Sequence, residues 1–253
     1  MFMICASSVR AEESKEREIF SSHYDEGRIV QVIEENLPIN VLSKHTINRF
    51  RELEKLSGIK FYNPVGFLLA AEKGSKDAIN LLQTLLSHNI AFSDLSDGDA
   101  FKRRFPYLQT DDCDCRIFDD NGAGYVSARR LVKAQKKVAR LQGCEIIEDI
   151  VREVKDLHEG VHQVITEKNG IIRAKRVLIC AGAFTNYIRL QPVGRVKMVI
   201  NKETVAMLRL SEKEAEILSN GNGHKKNQRE AVSAKLPLGL RGVAQRLTYL
   251  TQL

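Results

Sequence analysis

The sequence predicts a mixed α/β or α+β fold, because segments with helical periodicity are interspersed with segments typical of strands. Between residues 41 and 56, apolar side chains repeat every three positions, as on one face of an amphipathic helix. Residues 176–180 form an apolar run without alternation, which is typical of a strand buried on both faces of a parallel sheet. The pair Asn169-Gly170 between two β-like segments predicts a hairpin turn.

Helices dominate the first part of the chain. Ser43 is the expected N-cap of the helix over 41–56, and Gly58 is its expected stop. Ser127 is expected to cap a later helix over 127–142 that Gly143 ends, with Gln135 among the residues that face inward. Between these helices the sequence predicts a strand over 67–71, a helix over 77–88, a strand over 90–92, a helix over 96–104, a strand over 116–118 and a turn over 119–122.

Strands dominate the part that follows. They are predicted over 145–147, 150–154, 161–166, 171–174 and 176–180. The last of these leads into Ala181-Gly182-Ala183, where small residues at a strand end allow the backbone to approach a ligand closely. The same small residues are equally compatible with a tight turn that packs a helix.

Composition and charge exclude several classes of protein. The chain has 253 residues, 43% hydrophobic and 28% charged, which is ordinary for a globular protein of one or two domains. No apolar run approaches the ~20 residues of a membrane helix, and the first eleven residues make at best a poor signal peptide. The net charge is +7, of which the segment from residue 221 onward carries +5, with six Lys or Arg against one Glu. We therefore expect a solvated, disordered basic tail over 219–253 and no nucleic-acid partner.

The cysteines do not form a disulfide framework. There are five, and their odd number and irregular spacing favour a reducing compartment. Cys113 and Cys115 form a C-x-C pair without a second pair, so we predict no zinc site there.

The string His158-Glu159-Gly160-Val161-His162 matches the H-E-x-x-H signature of zinc peptidases. That chemistry needs both histidines on one face of a helix, whereas this string is expected to be a turn that leads into a strand. In a strand, positions four apart are separated by roughly 13 Å, which is too far for two ligands of one zinc ion. We interpret the match as chance, with a metallopeptidase as the least favoured function.

A loop near the start carries two cationic side chains. His23 and Arg28 lie within Ser21-Ser22-His23-Tyr24-Asp25-Glu26-Gly27-Arg28-Ile29, where they can face an anionic ring or a carboxylate. A solvated loop with scattered charges is the simpler interpretation of this segment alone.

Taken in order, these segments resemble the FAD-dependent amine oxidases of the sarcosine oxidase and pipecolate oxidase type. The loop from Ser21 to Ile29 resembles the family's loop after its first nucleotide-binding unit, where His and Arg approach the flavin. Further similar motifs are Val65-Gly66-Phe67-Leu68, Arg104-Phe105-Pro106, Gly122-Ala123-Gly124-Tyr125-Val126, Ile150-Val151 and Leu178-Ile179-Cys180-Ala181-Gly182-Ala183-Phe184.

The resemblance implies a partial FAD-binding doubly wound sheet with an inserted antiparallel, β-rich substrate domain. It implies FAD as cofactor and oxidation of the C–N bond of a secondary amino acid by O2, with release of peroxide. The amino acid would be the small-molecule partner of the protein, and no membrane partner is expected. The expected location of the protein is the cytoplasm or the peroxisome. The implied catalytic residues are His23 and Arg28. The implied cofactor-binding residues are Ser22, His23, Arg28, Ile29, Val151, Cys180, Ala181, Gly182 and Phe184.

The sequence also departs from this family. Residues before Ser21 contain no glycine, so the G-x-G-x-x-G loop that admits the pyrophosphate is missing. His23 and Arg28 are one residue farther apart than in the family's loop, and Gln31 replaces a second arginine. We expect a divergent segment over 1–20, an incomplete oxidoreductase domain over 21–218 and truncation at both ends. The alternative function is therefore a catalytically inactive fragment of the family.

Overall fold

The fold comes from a computed structural model of the chain. The structure describes residues 22–23, 26–72, 74–106, 108, 115–157, 160–200, 204–208, 211–212, 232–235 and 245–249. The predicted segment over 1–20 lies outside them. The chain divides into two compact units, of which the first contains Asp25–Leu131 with Lys202–Leu253 and the second contains Val132–Asn201 with Met1–Tyr24.

The first unit starts with β1 (Arg28–Val30) and the long helix α1 (Leu37–Ser57). Asn36 caps α1, because its side-chain oxygen accepts a hydrogen bond from the Ile39 N–H at 3.3 Å. The predicted cap, Ser43, instead lies inside the helix, since Pro38 is favourable in a first turn and allows an earlier start. Gly58 ends α1 with a φ of +68°, as predicted. None of the helices that the structure describes is long and apolar enough to cross a membrane.

Short elements follow α1 in the first unit. They are β2 (Tyr62–Asn63), β3 (Phe67–Ala71), α2 (Lys76–Ser87), β4 (Ser93–Asp94), α3 (Gly98–Arg104), β5 (Cys115–Asp119) and β6 (Gly124–Val126). These confirm the predicted elements over 67–71, 77–88, 96–104 and 116–118. The predicted strand over 90–92 is wrong, because the residues that pair with β5 are the next ones, Ser93 and Asp94.

Two sheets organise the first unit. In the smaller sheet, β1 and β2 lie antiparallel on either side of β6. The larger sheet has the order β11-β13-β12-β3-β5-β4, with β11 (Thr204–Leu208), β12 (Val232–Lys235) and β13 (Gln245–Tyr249). β3 therefore has a hydrogen-bonded strand on each side, β12 in parallel and β5 in antiparallel orientation. The strands β12 and β13 fall within the segment predicted to be disordered, and the rest of 219–253 lies outside the described residues.

Both faces of the β3–β5 pair are covered. On one face, Phe67 and Ile117 pack with the apolar side chains of α2, Ala78, Leu81 and Leu85. On the other, Leu68 and Phe118 pack with Leu95 and with Phe101 of α3. Because successive side chains of a strand point to opposite faces, a strand covered on both faces is apolar without alternation. This explains the run over 67–71.

The buried side chain of Glu54 joins the end of α1 to β2. Its Oε1 accepts hydrogen bonds from the Phe61 and Tyr62 N–H groups at 2.8 and 3.0 Å, and its Oε2 accepts one from Arg51 Nη1 at 2.6 Å. Burial acts to raise the pKa of Glu54, but these hydrogen bonds outweigh it and lower the pKa. The predicted apolar stripe of α1 placed Leu56 inside, whereas Leu56 is exposed and Glu54 is buried.

Asp119 fixes the chain that follows β1. It is fully buried, and its Oδ2 accepts hydrogen bonds from the Val32 and Ile33 N–H groups at 2.7 and 3.2 Å. Its Oδ1 accepts one from the Asn121 N–H at 3.0 Å. The carboxylate thereby supplies partners for backbone groups that have left the sheet.

Helix α4 (Ala128–Leu141) begins and ends as the sequence predicts. Ser127 caps it, since its Oγ accepts a hydrogen bond from the Arg130 N–H at 3.2 Å. Gly143, with a φ of +81°, follows its end. Ala134 and Val138 are buried as expected of one helix face, but Gln135 is exposed and does not face inward.

The second unit contains a four-stranded sheet. β7 (Val151–Asp156), β8 (His162–Thr166) and β9 (Ile171–Ala174) form an antiparallel meander, and β10 (Arg189–Gln191) lies parallel to β7. The turn between β8 and β9 contains Asn169-Gly170, which confirms the predicted hairpin. Strands from both halves of this unit surround a small core of Val151, Val154, Val164, Ile188 and Leu190. The protein thus has the mixed α/β architecture that the sequence predicts.

Two predicted strands of the second unit are not strands. Residues 145–147 and 176–180 have extended, apolar sequences, but no described residue pairs with them. In the second run, Val177 and Ile179 pack against the core of the unit, while Leu178 is 72% exposed. The sequence has the propensity to form a strand here, but a strand also requires a second strand to which its backbone can hydrogen-bond.

Candidate functional site

Arg28 and Ile29 open β1, in the first unit. Arg28 pairs with Val126 of β6 in the strand register, and its side chain is exposed. Ile29 pairs with Tyr125, and its partly buried side chain packs against the α2-facing core. The Arg28 side chain therefore lies at the surface of this unit, whereas Ile29 contributes to packing.

Ser22 and His23 are described, and Tyr24 and Asp25 after them are not. Ser22 is exposed and His23 is partly buried. Both belong to the unit that contains Val132–Asn201, whereas Arg28 belongs to the other one. The pairing of His23 with Arg28 in one site stays a prediction.

Glu26 is a residue of this loop that the sequence did not single out. Its Oε2 accepts a hydrogen bond from the Ser127 Oγ–H at 2.5 Å. Its carboxylate also lies 3.4 Å from Arg129 Nε and 3.9 Å from Arg130 Nε. Because helix N-termini favour negative charge, Glu26 is well placed at the start of α4. No sequence signal identifies this contact, since 101 positions separate Glu26 from Ser127.

The space beside the two glycines before α4 is filled by neighbouring atoms. A Cβ on Gly124 would lie 2.1 Å from the Asn63 carbonyl oxygen, and one on Gly122 would lie 2.9 Å from Ile47 Cγ2. The Tyr62 hydroxyl donates a hydrogen bond to the Gly122 carbonyl at 2.5 Å. A Gly-x-Gly segment before a helix is a common phosphate site, but here the glycines allow close packing of the chain and leave no cradle.

Val151 lies at the start of β7 in the second unit. It pairs with Thr166 of β8, and its side chain is buried with Val154, Val164 and Leu190. A cofactor that contacts Val151 would therefore meet its backbone rather than its buried side chain.

Asp149 holds the chain just before β7. Its Oδ2 accepts hydrogen bonds from the Lys168 and Asn169 N–H groups at 2.9 and 2.8 Å and from Asn169 Nδ2 at 2.7 Å. Its Oδ1 accepts one from the Ile150 N–H at 2.7 Å. Burial acts to raise the pKa of Asp149, but the hydrogen bond from the Asn169 side chain and those from the three N–H groups lower it far below its usual value. Asp149 thus fixes the β8–β9 turn against the start of β7.

The predicted cofactor turn follows the exposed run 176–180. Cys180 is exposed, Ala181 packs partly against the core of the unit, and Gly182 begins a 3-10 helix, Gly182–Tyr187. Gly182 has a φ of +53°, and a Cβ built on it would meet no atom within 4 Å. Phe184 is partly buried and stacks on Tyr187, with ring centroids 5.2 Å apart. The structure therefore brings Val151 and Ala181 into one core and leaves open space beside Gly182.

The H-E-x-x-H string is not helical where it is described. Gly160 has a φ of +71°, and His162 opens β8, with its Nδ1 3.5 Å from Asp156 Oδ1. His158, Glu159 and also Cys113 lie outside the described residues. Within the described ranges, no three His, Cys, Asp or Glu side chains are grouped as a metal site requires. The turn into a strand agrees with the sequence prediction and with a chance match.

Comparison with known proteins matches the chain to a protein family. The model of the family described as FAD dependent oxidoreductase matches residues 15–230. A comparison with curated protein sequences gave no significant match.

Solved structures share the fold at low sequence identity. Glycine oxidase from Geobacillus kaustophilus has a TM-score of 0.52 at 20% identity, with 67% of this chain and 48% of that chain covered. L-proline dehydrogenase from P. horikoshii has a TM-score of 0.56 at 15% identity, with coverage of 69% and 47%. A modified fructosyl peptide oxidase from Aspergillus nidulans has a TM-score of 0.54 at 21% identity, with coverage of 66% and 41%. The chain thus spans less than half the length of these relatives.

The residues present can be tested against FAD, on which this family depends. The turn at 180–182 has an exposed backbone and open space beside Gly182, so it has room for a ligand. The space beside Gly122 and Gly124 is filled by neighbouring atoms. The Glu26 carboxylate already accepts the hydrogen bond of Ser127 at the start of α4. The described residues therefore fit contact with FAD at 180–182, whereas the Gly-x-Gly segment before α4 supplies no cradle for its pyrophosphate.

Proposed function

The chain belongs to the FAD dependent oxidoreductase family, and from this premise we propose that it oxidises the C–N bond of a secondary amino acid. In this reaction the amine loses two electrons and two protons and becomes an imine. O2 accepts the two electrons and two protons and leaves as hydrogen peroxide. FAD, when bound, supplies the redox chemistry, and the protein supplies binding, orientation and charge.

The family match over residues 15–230 carries this proposal. It includes the loop with His23 and Arg28, the β7 strand with Val151 and the turn with Gly182. Support for the substrate class comes from the structural neighbours. Their names describe a glycine oxidase, an L-proline dehydrogenase and a fructosyl peptide oxidase, and each of these names refers to an amino acid or a peptide. Proline is itself a secondary amino acid.

Arg28 is proposed to hold an anionic group beside the reacting centre. Its guanidinium is permanently charged, and its side chain is exposed at the first position of β1. A planar guanidinium binds a carboxylate or a ring oxygen with two parallel hydrogen bonds. His23 is proposed as a second catalytic and cofactor-binding residue, because an imidazole both donates and accepts hydrogen bonds.

The backbone of 180–182 is proposed to contact the cofactor, and Ser22, Ile29 and Phe184 are proposed as further cofactor-binding residues. Cys180 and Gly182 are exposed, and the positive φ of Gly182 orients its peptide groups in a way that other residues rarely adopt. Val151 is proposed to add a backbone contact only. The substrate is proposed to be the protein's small-molecule partner, and a cytoplasmic or peroxisomal location stays a prediction.

The visible spectrum of the purified chain tests the proposal. The chain is incubated with FAD, separated from free FAD by gel filtration and then supplied with sarcosine, pipecolate or proline. We expect retained flavin absorption and peroxide that depends on the amino acid. The matched variant Arg28→Lys keeps the charge but loses the bidentate geometry, so it should retain less flavin than the wild type. A colourless product for the wild type would refute the proposal.

The second candidate is a catalytically inactive member of the family, and one observation favours it. The run 176–180 is apolar, no described residue pairs with it, and Leu178 is 72% exposed. Val177 and Ile179 pack against the core of the unit, so the run offers Leu178 and a strand-like backbone edge to another chain. This candidate predicts a folded, monodisperse protein that retains no flavin, and the same spectrum separates it from the first.

A further inference from the structure

The start of β1 is held by a side chain as well as by the sheet. β1 has three residues and lies at the edge of the order β1-β6-β2, so β6 is its single neighbour within the described residues. The first backbone pair, Arg28 with Val126, lies at its end. End pairs of a short edge strand open readily, because few contacts close them again.

Glu26 attaches this end to the first turn of α4. It accepts the short hydrogen bond from the Ser127 hydroxyl, and Ser127 directly follows Val126, the backbone partner of Arg28. The Ser127 N–H donates to the Phe61 carbonyl at 2.8 Å, so the start of α4 is itself fixed to the chain before β2. Glu26 thus connects the loop to a part of the first unit that is held independently.

The charges around Glu26 strengthen the attachment. Its side chain is 27% exposed, and Arg129 and Arg130 approach its two oxygens. The two ion pairs are partly screened, because both arginines are about half exposed or more. The hydrogen bond from buried Ser127 to the Glu26 carboxylate is the stronger contact.

We propose that Glu26 is a positioning residue, which holds Arg28 where the cofactor site requires it. The inference rests on the proposed function for the role of Arg28, and on the observed contacts for the role of Glu26. Two positions separate the residues, so a fixed Glu26 limits how far the Arg28 backbone can move. Without Glu26, the Arg28 backbone would lie at the end of a three-residue edge strand that lacks this link to the first turn of α4.

Hydrogen exchange and FAD binding of three variants test this role. Glu26→Ala removes every contact of the carboxylate, and Glu26→Gln keeps an acceptor for Ser127 but loses the charge. Glu52→Gln is the matched control, because Glu52 forms an exposed ion pair with Arg49 within α1 at 3.7 Å. Amide exchange is followed for the peptide that contains β1, and the dissociation constant of FAD is measured by flavin fluorescence.

We expect Glu26→Ala to speed exchange of the β1 amides about tenfold, as for the loss of a helix-cap contact. Its FAD dissociation constant should rise about fivefold, while Glu26→Gln should fall between it and the wild type. Glu52→Gln should leave both measurements unchanged. Circular dichroism at the same temperature confirms that each variant is folded.

Unchanged β1 exchange in Glu26→Ala would overturn the attachment. Faster exchange with unchanged FAD affinity would show a structural contact and overturn the positioning role. If the wild type binds no FAD, the proposed function fails, and the exchange comparison alone decides whether Glu26 holds Arg28.

Discussion

Two apolar runs of this chain have similar sequences and different surroundings. β3, Phe67–Ala71, has hydrogen-bonded neighbours on both sides and buried side chains on both faces. The run 176–180 has no hydrogen-bonded strand beside it among the described residues, and it exposes Leu178. Both sequences predict a buried strand. An apolar run therefore indicates that a segment can form a strand, but whether the strand is buried depends on the segments that pack against it.

Matched leucine truncations should give the largest contrast between the two runs. Leu68 is 8% exposed and Leu178 is 72% exposed. Leu68→Ala should lower the free energy of unfolding by about 2–5 kcal/mol, and Leu178→Ala by no more than about 0.5 kcal/mol. Urea unfolding followed by circular dichroism measures both. Equal costs would mean that the run 176–180 is buried in solution.

Two glycine substitutions compare a position where a Cβ would meet neighbouring atoms with a position where the space is open. Gly124→Ala places a Cβ against the Asn63 carbonyl oxygen and should cost about 1–3 kcal/mol from overpacking, in addition to strain at its φ of +156°. Gly182→Ala meets no neighbour and should cost only about 1–2 kcal/mol of left-handed strain. Thermal unfolding compares them. The comparison fails if Gly182→Ala is the more damaging of the two.

Asp149 makes the second unit sensitive to acid. Because the pKa of Asp149 is lowered in the folded state, its stabilising effect is complete above its unfolded pKa, near 3.8, and is lost as the pH falls towards the folded value. Asp149→Asn should therefore cost about 1–3 kcal/mol at pH 7, with a difference from the wild type that shrinks below about pH 4. Unfolding curves between pH 3 and pH 7 test this. A difference that is constant with pH would show that Asp149 does not act through its charge.

FAD should act on one run and not on the other. If the cofactor contacts 180–182, FAD at saturation should slow amide exchange in 176–184 by several-fold and leave β3 unchanged. Exchange measured with and without FAD decides this, with AMP as the control for adenine binding alone. Equal protection of both runs would indicate stabilisation of the whole chain, and protection of neither would argue against the proposed contact.

Much of the fold follows from local sequence signals. Gly58, Gly143 and Ser127 mark helix ends, and Asn169-Gly170 marks the hairpin, because each acts through the conformation of a few neighbouring residues. The cap at Asn36 was missed because Ser43 satisfies the same local rule. The burial of Glu54 was missed because it depends on backbone groups of Phe61 and Tyr62 that only the fold brings near.

The candidate site was predictable to a smaller extent. Resemblance to a family singled out Arg28, Val151 and Gly182 as candidates, and the structure gives each a distinct environment. It did not identify Glu26, since the contact with Ser127 joins distant positions. Nor could it establish whether the run 176–180 is paired, because a strand's neighbour is a property of the whole sheet.

The run 176–180, which exposes Leu178 and has no paired strand among the described residues, also bears on how long the chain persists in a cell. Extended apolar segments without a neighbour are bound by chaperones and cut by proteases, which continuously remove incompletely folded molecules. A ligand that covers the run stabilises the folded chain by mass action, by about 2.7 kcal/mol at one hundred times its dissociation constant. If FAD is that ligand, the abundance of this protein would fall when flavin is scarce.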